Sequence, residues 1–213
     1  MFPILNQNKK KKNIQISAGE AFNLWDILNS VYAAIEKFNL WSNYVHDSEF
    51  EILMQLYLKE INMCKNLLEK ALTQFGMKAP DSHTLTVSTE LNSDFMRDQL
   101  IAIDLFTTLQ EHIDLLLLAI AHSTRNDKVR SLLMQFVKKN INKIDLTTKF
   151  LKAKGWLQAP PMYSQIPAKT LKIDAGEAFN LWSHLTYRYD NLLLTETFMS
   201  LANDGDLKLY LRK

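Results

Sequence analysis

Apolar residues recur at three- and four-residue spacing through most of this 213-residue chain, which is the period of an α-helix. Four long segments carry the pattern: about Ala18 to Tyr44, Glu49 to Phe75, Asp94 to Ala121 and Asp127 to Lys154. In the first, Ala21, Trp25, Leu28, Tyr32 and Ile35 are expected to share one face. Each segment is about 28 residues, or about 40 Å of helix at 1.5 Å per residue. Four amphipathic helices of equal length predict an all-α fold, a four-helix bundle.

The breaks between segments repeat in their own way. The second segment runs out in "LLEKALTQFGMKAP" and the fourth in "LTTKFLKAKGWLQAP", so Gly76 and Gly155 are the expected helix stops. The stretches after them, "MKAPDSHTLTVSTELN" and "WLQAPPMYSQIPAKTLKI", are long enough when extended to cross the length of a bundle. That suits two helical hairpins joined by a crossover.

The octapeptide "AGEAFNLW" stands at Ala18 to Trp25 and again at Ala175 to Trp182. Ser17 precedes the first copy and Asp174 the second, with Glu20 and Glu177 three positions later, which is the signature of a capping box. Glu20 and Glu177 are therefore read as caps, with a ligand or acid role as the alternative. Capping does not require eight identical residues, and the same alignment also pairs Ile16 with Ile173, Leu28 with Leu185, Tyr32 with Tyr189 and Asp47 with Asp204. The second copy thus reads as the first helix, and the start of a second, of another bundle unit, of which the sequence to Lys213 holds only a part. The expected organisation is a basic flexible tail over 1–16, the bundle over 17–165, and a linker with the incomplete second copy over 166–213.

With "AGEAFNLW" opening each unit and "KGWLQAPPMY" closing a bundle, the chain resembles a family from spore-forming bacteria catalogued as a domain of unknown function, number thirty-two thirty-one. The resemblance implies tandem ferritin-like four-helix bundles, here with a truncated second unit. It implies no activity. A looser similarity to ferritin-like spore-coat proteins implies a sporulation or stress setting.

Composition narrows the function classes. An apolar content of 47% is enough for a sizeable core. Lys plus Arg total 25 against 23 for Asp plus Glu, and the excess sits in "NKKKKN" at Asn8 to Asn13, not along a helix face, so no nucleic-acid partner is predicted. The single cysteine, Cys64, rules out an internal disulfide and reads as a buried inert thiol. The opening "MFPIL" precedes the lysines, the reverse of a signal peptide, and the run "LLLLAIA" at Leu115 to Ala121 is too short to span a bilayer. A cytoplasmic, spore-associated protein is expected.

Candidate chemistry is sparse. A carboxylate-bridged di-metal bundle needs Glu-x-x-His pairs, and none of His46, His83, His112, His122 and His184 has a Glu three residues before it. In "EHID" at Glu111 to Asp114 the metal-capable groups fan around the helix, and a solvated flank is expected there. Five glycines supply no phosphate loop or dinucleotide pattern, and no catalytic residue or cofactor is predicted. One constellation remains, in which Glu60 falls among apolar residues of the second helix, Asn140 among those of the fourth, and Gln110 and Tyr32 near the inward faces of the third and first. All four lie near helix midpoints, so they are expected to share one mid-bundle layer. That layer is either a closed hydrogen-bonded network that fixes register or a site for a small cation or ligand. The expectation is a non-enzymatic structural or binding protein, with a metal-binding or redox protein using Glu60, Tyr32, Gln110 and Asn140 as the alternative. The orphan helix, 174–202, carries a broad apolar face and is expected to pack on the bundle or to pair with a second copy of the chain.

Overall fold

The computed structural model describes residues 15–82, 97–157 and 174–212, the side chains of Leu193 and Leu201 excepted. Most of the basic tail, most of the linker and His83 lie outside the described residues. The chain is all-α. Its helices begin where a side chain can take up the first unpaired backbone amides. Ser17 opens α1 (Ala18–Trp41), which runs on into a 3-10 turn at Ser42–Tyr44. Asp47 opens α2 (Ser48–Gln74), its Oδ1 accepting from the Glu49 and Phe50 amides at 3.0 Å each. α3 (Asp98–His122) follows residues 94–96, which lie outside the described residues. Asn126 opens α4 (Asp127–Lys154) by accepting from the Lys128 and Val129 amides. Asp174 opens α5 (Ala175–Leu201) and Asp204 opens the short α6 (Gly205–Leu211).

Gly76 and Gly155 end α2 and α4 in the left-handed region, at φ 69° and 67°. At each, the following amide reaches back five residues, Met77 to the Leu72 carbonyl at 3.0 Å and Trp156 to the Leu151 carbonyl at 2.9 Å. This is a Schellman closure, which a Cβ would strain. Beyond Gly155 the chain turns Trp156 onto Phe50 and Phe150, with ring centroids 6.4 and 5.7 Å away, and so seals one end of the bundle with aromatics.

Polar contacts between helix ends fix the topology. The amides of His46 and Asp47, in the α1–α2 turn, donate to the Asp98 carboxylate at the start of α3 at 2.8 and 2.7 Å. Lys154, at the end of α4, bridges Asp47 at 2.6 Å and Glu49 at 2.7 Å at the start of α2. The end of α1 and the starts of α2 and α3 therefore share one end of the bundle, and α4 returns to it. The helices run up, down, down, up. Each neighbouring pair is antiparallel, α1 packing on α2 and α3, and α4 on α3 and α2, with the α2–α4 seam the shortest contact.

The core forms from Leu24, Leu28 and Phe38 of α1, Phe50, Met54 and Leu68 of α2, Leu105 and Leu109 of α3, and Leu133 and Leu151 of α4. This corrects the expected face of α1. The helix is rotated so that Leu24, Ile27, Val31 and Phe38 point inward, while Trp25 is exposed and Ala21, Tyr32 and Ile35 flank the core. The physical reason lies at its first turn, where the face that carries Leu24 and Leu28 also carries Glu20, and Glu20 is held inside.

Glu20 is fully buried, yet it is satisfied on every side. Its Oε2 accepts from the Ser17 amide at 3.0 Å and the Ser17 hydroxyl at 2.9 Å, completing a capping box with the Glu20 amide. Its Oε1 accepts from the amides of Arg125 at 3.1 Å and Asn126 at 2.8 Å, in the turn between α3 and α4. Burial pushes the carboxyl pKa up, but these four hydrogen bonds outweigh it and hold the group below its ordinary value of 4.5. A carboxylate with a depressed folded pKa stabilises the protein above its unfolded pKa, and that stability is lost as pH falls through the folded value. Glu20→Ala should cost about 2–3 kcal/mol in chemical denaturation, since a charged acceptor leaves several donors unpaired. Glu20→Gln should cost less at neutral pH and should flatten the loss of stability below pH 4.5, a comparison read from denaturation curves across an acid series.

Candidate functional site

The expected polar layer does not form, and its four members part company. Glu60 lies roughly a quarter-turn from the buried face of α2, whose centre is set by Met54, Tyr57, Ile61 and Leu68. Its side chain is 26% exposed and pairs with Lys143 of α4 at 2.8 Å. Tyr32 sits at the α1–α2 seam and donates to Glu69 at 2.8 Å. Burial, then the bond to Glu69 and its charge, push the Tyr32 hydroxyl up to about 12. Gln110 faces solvent. Only Asn140 lies on an inward face, half-buried on α4. The layer fails because apolar neighbours along one helix do not reveal how far that helix is rotated about its own axis. Among the described residues no group of three or more His, Cys, Asp or Glu side chains is placed to hold a metal ion.

The structure instead gathers polar groups in two other places. Between α1 and α3, Lys37 donates to Asp104 at 2.9 Å and to Thr108 at 2.8 Å, and the Trp41 indole N–H donates to the second Asp104 oxygen at 2.9 Å. Asp104 is buried, and both of its oxygens are engaged, so this cluster is a saturated structural link.

The second gathering surrounds a cavity of about 20 Å³ at the middle of the bundle. Tyr57 and Cys64 of α2, His112 of α3, and Asn140 and Lys143 of α4 are among the residues that line it, and apolar side chains from all four helices complete it. Lys143 lies 5.4 Å from the centre of the Tyr57 ring and, through its pair with Glu60, closes the α2–α4 seam over the cavity. Burial pushes the Cys64 thiol up, against the pull of the Lys143 and Lys139 charges, so the thiol stays protonated. Tyr57 is 3% exposed, and among the described residues its hydroxyl has no hydrogen-bond partner.

His112 corrects the expectation of a solvated flank at "EHID". Glu111 and Asp114 are exposed, but His112 is buried, its Nε2 2.9 Å from the Ser30 hydroxyl of α1. The signal in the sequence was its place in the stripe Leu105, Thr108, Leu109, His112, Leu116, Ala119, all of which are buried. Lys143 and Tyr57 were likewise missed, because a lysine is expected at the surface and a tyrosine among leucines reads as core.

These features define an all-α four-helix-bundle protein with a small, largely apolar central cavity. The chain belongs to the family described as "Protein of unknown function (DUF3231)", whose profile matches residues 5–167. Its fold is similar to that of a presumed spore coat protein from Bacillus halodurans C-125, at 20% identity and a TM-score of 0.63, covering 69% of this chain and 94% of that one. It is also similar to a conserved hypothetical protein from Mycobacterium tuberculosis, at 13% identity and a TM-score of 0.52, covering 64% of this chain and 100% of that one. No curated protein matches the chain.

Burial, then the positive charges of Lys37 and Lys143, push the His112 pKa down to about 4 from its ordinary 6.5, against the hydrogen bond to Ser30. A histidine held neutral in the fold stabilises the protein fully above its unfolded pKa and loses that contribution as pH falls towards the folded value. Between pH 6.5 and 4 this single group should remove up to about 3 kcal/mol. His112→Gln should show a shallower fall in unfolding free energy over that window than the wild type.

Proposed function

We propose that the protein is a ferritin-like, non-enzymatic structural or binding protein of a spore-forming bacterium, cytoplasmic and spore-associated, and that α5 is its assembly element. The up-down-down-up course, whose two descending helices require one long connection, is the arrangement of ferritin-like bundles. The presumed spore coat protein with the same fold lends the sporulation setting.

The observation that carries the reading is the contrast between the two copies of one octapeptide. Leu24 and Leu28 are 0% exposed in α1, whereas their counterparts Leu181 and Leu185 in α5 are 62% and 51% exposed. Asp174 and Glu177 form the same capping box as Ser17 and Glu20, through bonds of 3.0 and 2.8 Å, but Glu177 is exposed where Glu20 reaches into a neighbouring turn. Phe179, Tyr189 and Leu192 extend the apolar surface of α5. A surface of this kind on a helix built to lie in a bundle drives association, here with a second copy of the chain. No helix of the described residues is long and apolar enough to cross a membrane, so a bilayer span is not the use of α5.

Light scattering on the 213-residue chain should report a dimer or larger species. Leu181→Glu with Leu185→Glu should reduce it to a monomer while leaving the melting of the bundle unchanged. In a sporulating host the wild-type chain should fractionate with spores. A wild-type monomer that the double variant leaves as it is would remove the assembly role, and a chain confined to vegetative cells would remove the spore setting.

A further inference from the structure

The mid-bundle cavity has no place in an assembly role, and its chemistry is specific. Its size, about 20 Å³, exceeds the ~10–15 Å³ that a single water needs and is far below what a ring compound needs. One of its lining residues, Tyr57, carries a hydroxyl that is buried and among the described residues unpartnered, a condition that native proteins rarely leave unresolved. Asn140 adds an amide that can both donate and accept, and His112, with Nε2 engaged by Ser30, has Nδ1 as its second polar atom.

The charge of the wall narrows the occupant further. Lys143 is matched at 2.8 Å by Glu60, His112 is kept neutral by burial and by two nearby ammonium groups, and Cys64 stays a thiol. The wall therefore carries no net charge that would attract an ion. The remaining lining is aliphatic and aromatic, from Ile27, Ile61, Leu116 and Phe136 among others.

We propose that this cavity is a binding site for one neutral, water-sized hydrogen-bonding molecule, held by the Tyr57 hydroxyl on α2 and by Asn140 or His112 across the bundle. Water is the occupant in solution. It ties α2 to α3 or α4 beside the α2–α4 seam, and the Glu60–Lys143 pair is the cover through which it exchanges.

The sign of one stability change tests this. If the Tyr57 hydroxyl were orphaned, removing it would relieve a desolvation penalty and raise the melting temperature. If it binds an occupant, Tyr57→Phe should lower the melting temperature by about 2–4 °C, the effect of losing one buried hydrogen bond in a protein of this size. A high-resolution crystal structure of the wild-type chain should show a solvent peak within hydrogen-bond distance of Tyr57 Oη and of Asn140 or His112. A melting temperature of Tyr57→Phe equal to or above that of the wild type overturns the proposal. So does a crystal structure without that peak, or one in which Tyr57 Oη bonds directly to a protein atom.

Discussion

The bundle depends on one buried carboxylate. Glu20 brings the start of α1 and the turn between α3 and α4 to a common point by accepting two hydrogen bonds from each. Helix ends leave amides that must find partners, and here the partner of one helix start is also the partner of a distant turn. The vertical register of α1 against α3 follows from this. At the other end, Asp98 does the same for the α1–α2 turn, and Lys154 ties α4 to the start of α2. Side-chain packing between these clamps can be apolar and unspecific because register is already set at the ends.

That division of labour explains the middle of the molecule. With register fixed elsewhere, the centre needs no polar layer, and its polar groups fall into local pairs. Lys37 and Asp104 join α1 to α3, Glu60 and Lys143 join α2 to α4, and Ser30 and His112 join α1 to α3 again. The α2–α4 seam is the least packed side of the bundle, and the cavity lies where that seam passes Tyr57 and Asn140. At this seam the Lys143 stem lies along apolar surface while its ammonium reaches Glu60 at 2.8 Å.

The repeated octapeptide shows how much context contributes. In both copies the local chemistry is identical: an N-cap side chain, a glutamate three residues on, and an apolar run. In α1 the glutamate finds a second turn to hold and the leucines find a core. In α5 neither is present among the described residues, and burial, then the nearby Asp104, raises the Asp190 carboxyl. Phe179, Leu181, Leu185 and Leu192 of α5 are exposed in consequence.

What the sequence by itself determined was local. Helix periodicity, the N-cap residues Ser17 and Asp174, and the glycines at 76 and 155 act within a few residues of the chain, and the fold has helix starts and stops at these positions. The all-α class follows from the same local signals. Rotation of each helix about its axis was decided only by the tertiary structure, because a residue one position along a helix lies about 100° away and a broad apolar stripe tolerates that error. This is why Trp25 and Gln110 turned outward, Glu60 moved to an edge, and His112 and Tyr57 became the wall of a cavity. The reach of Glu20 into a turn more than a hundred residues away was equally invisible, since a capping box satisfies its own helix and gives no sign of a second set of donors.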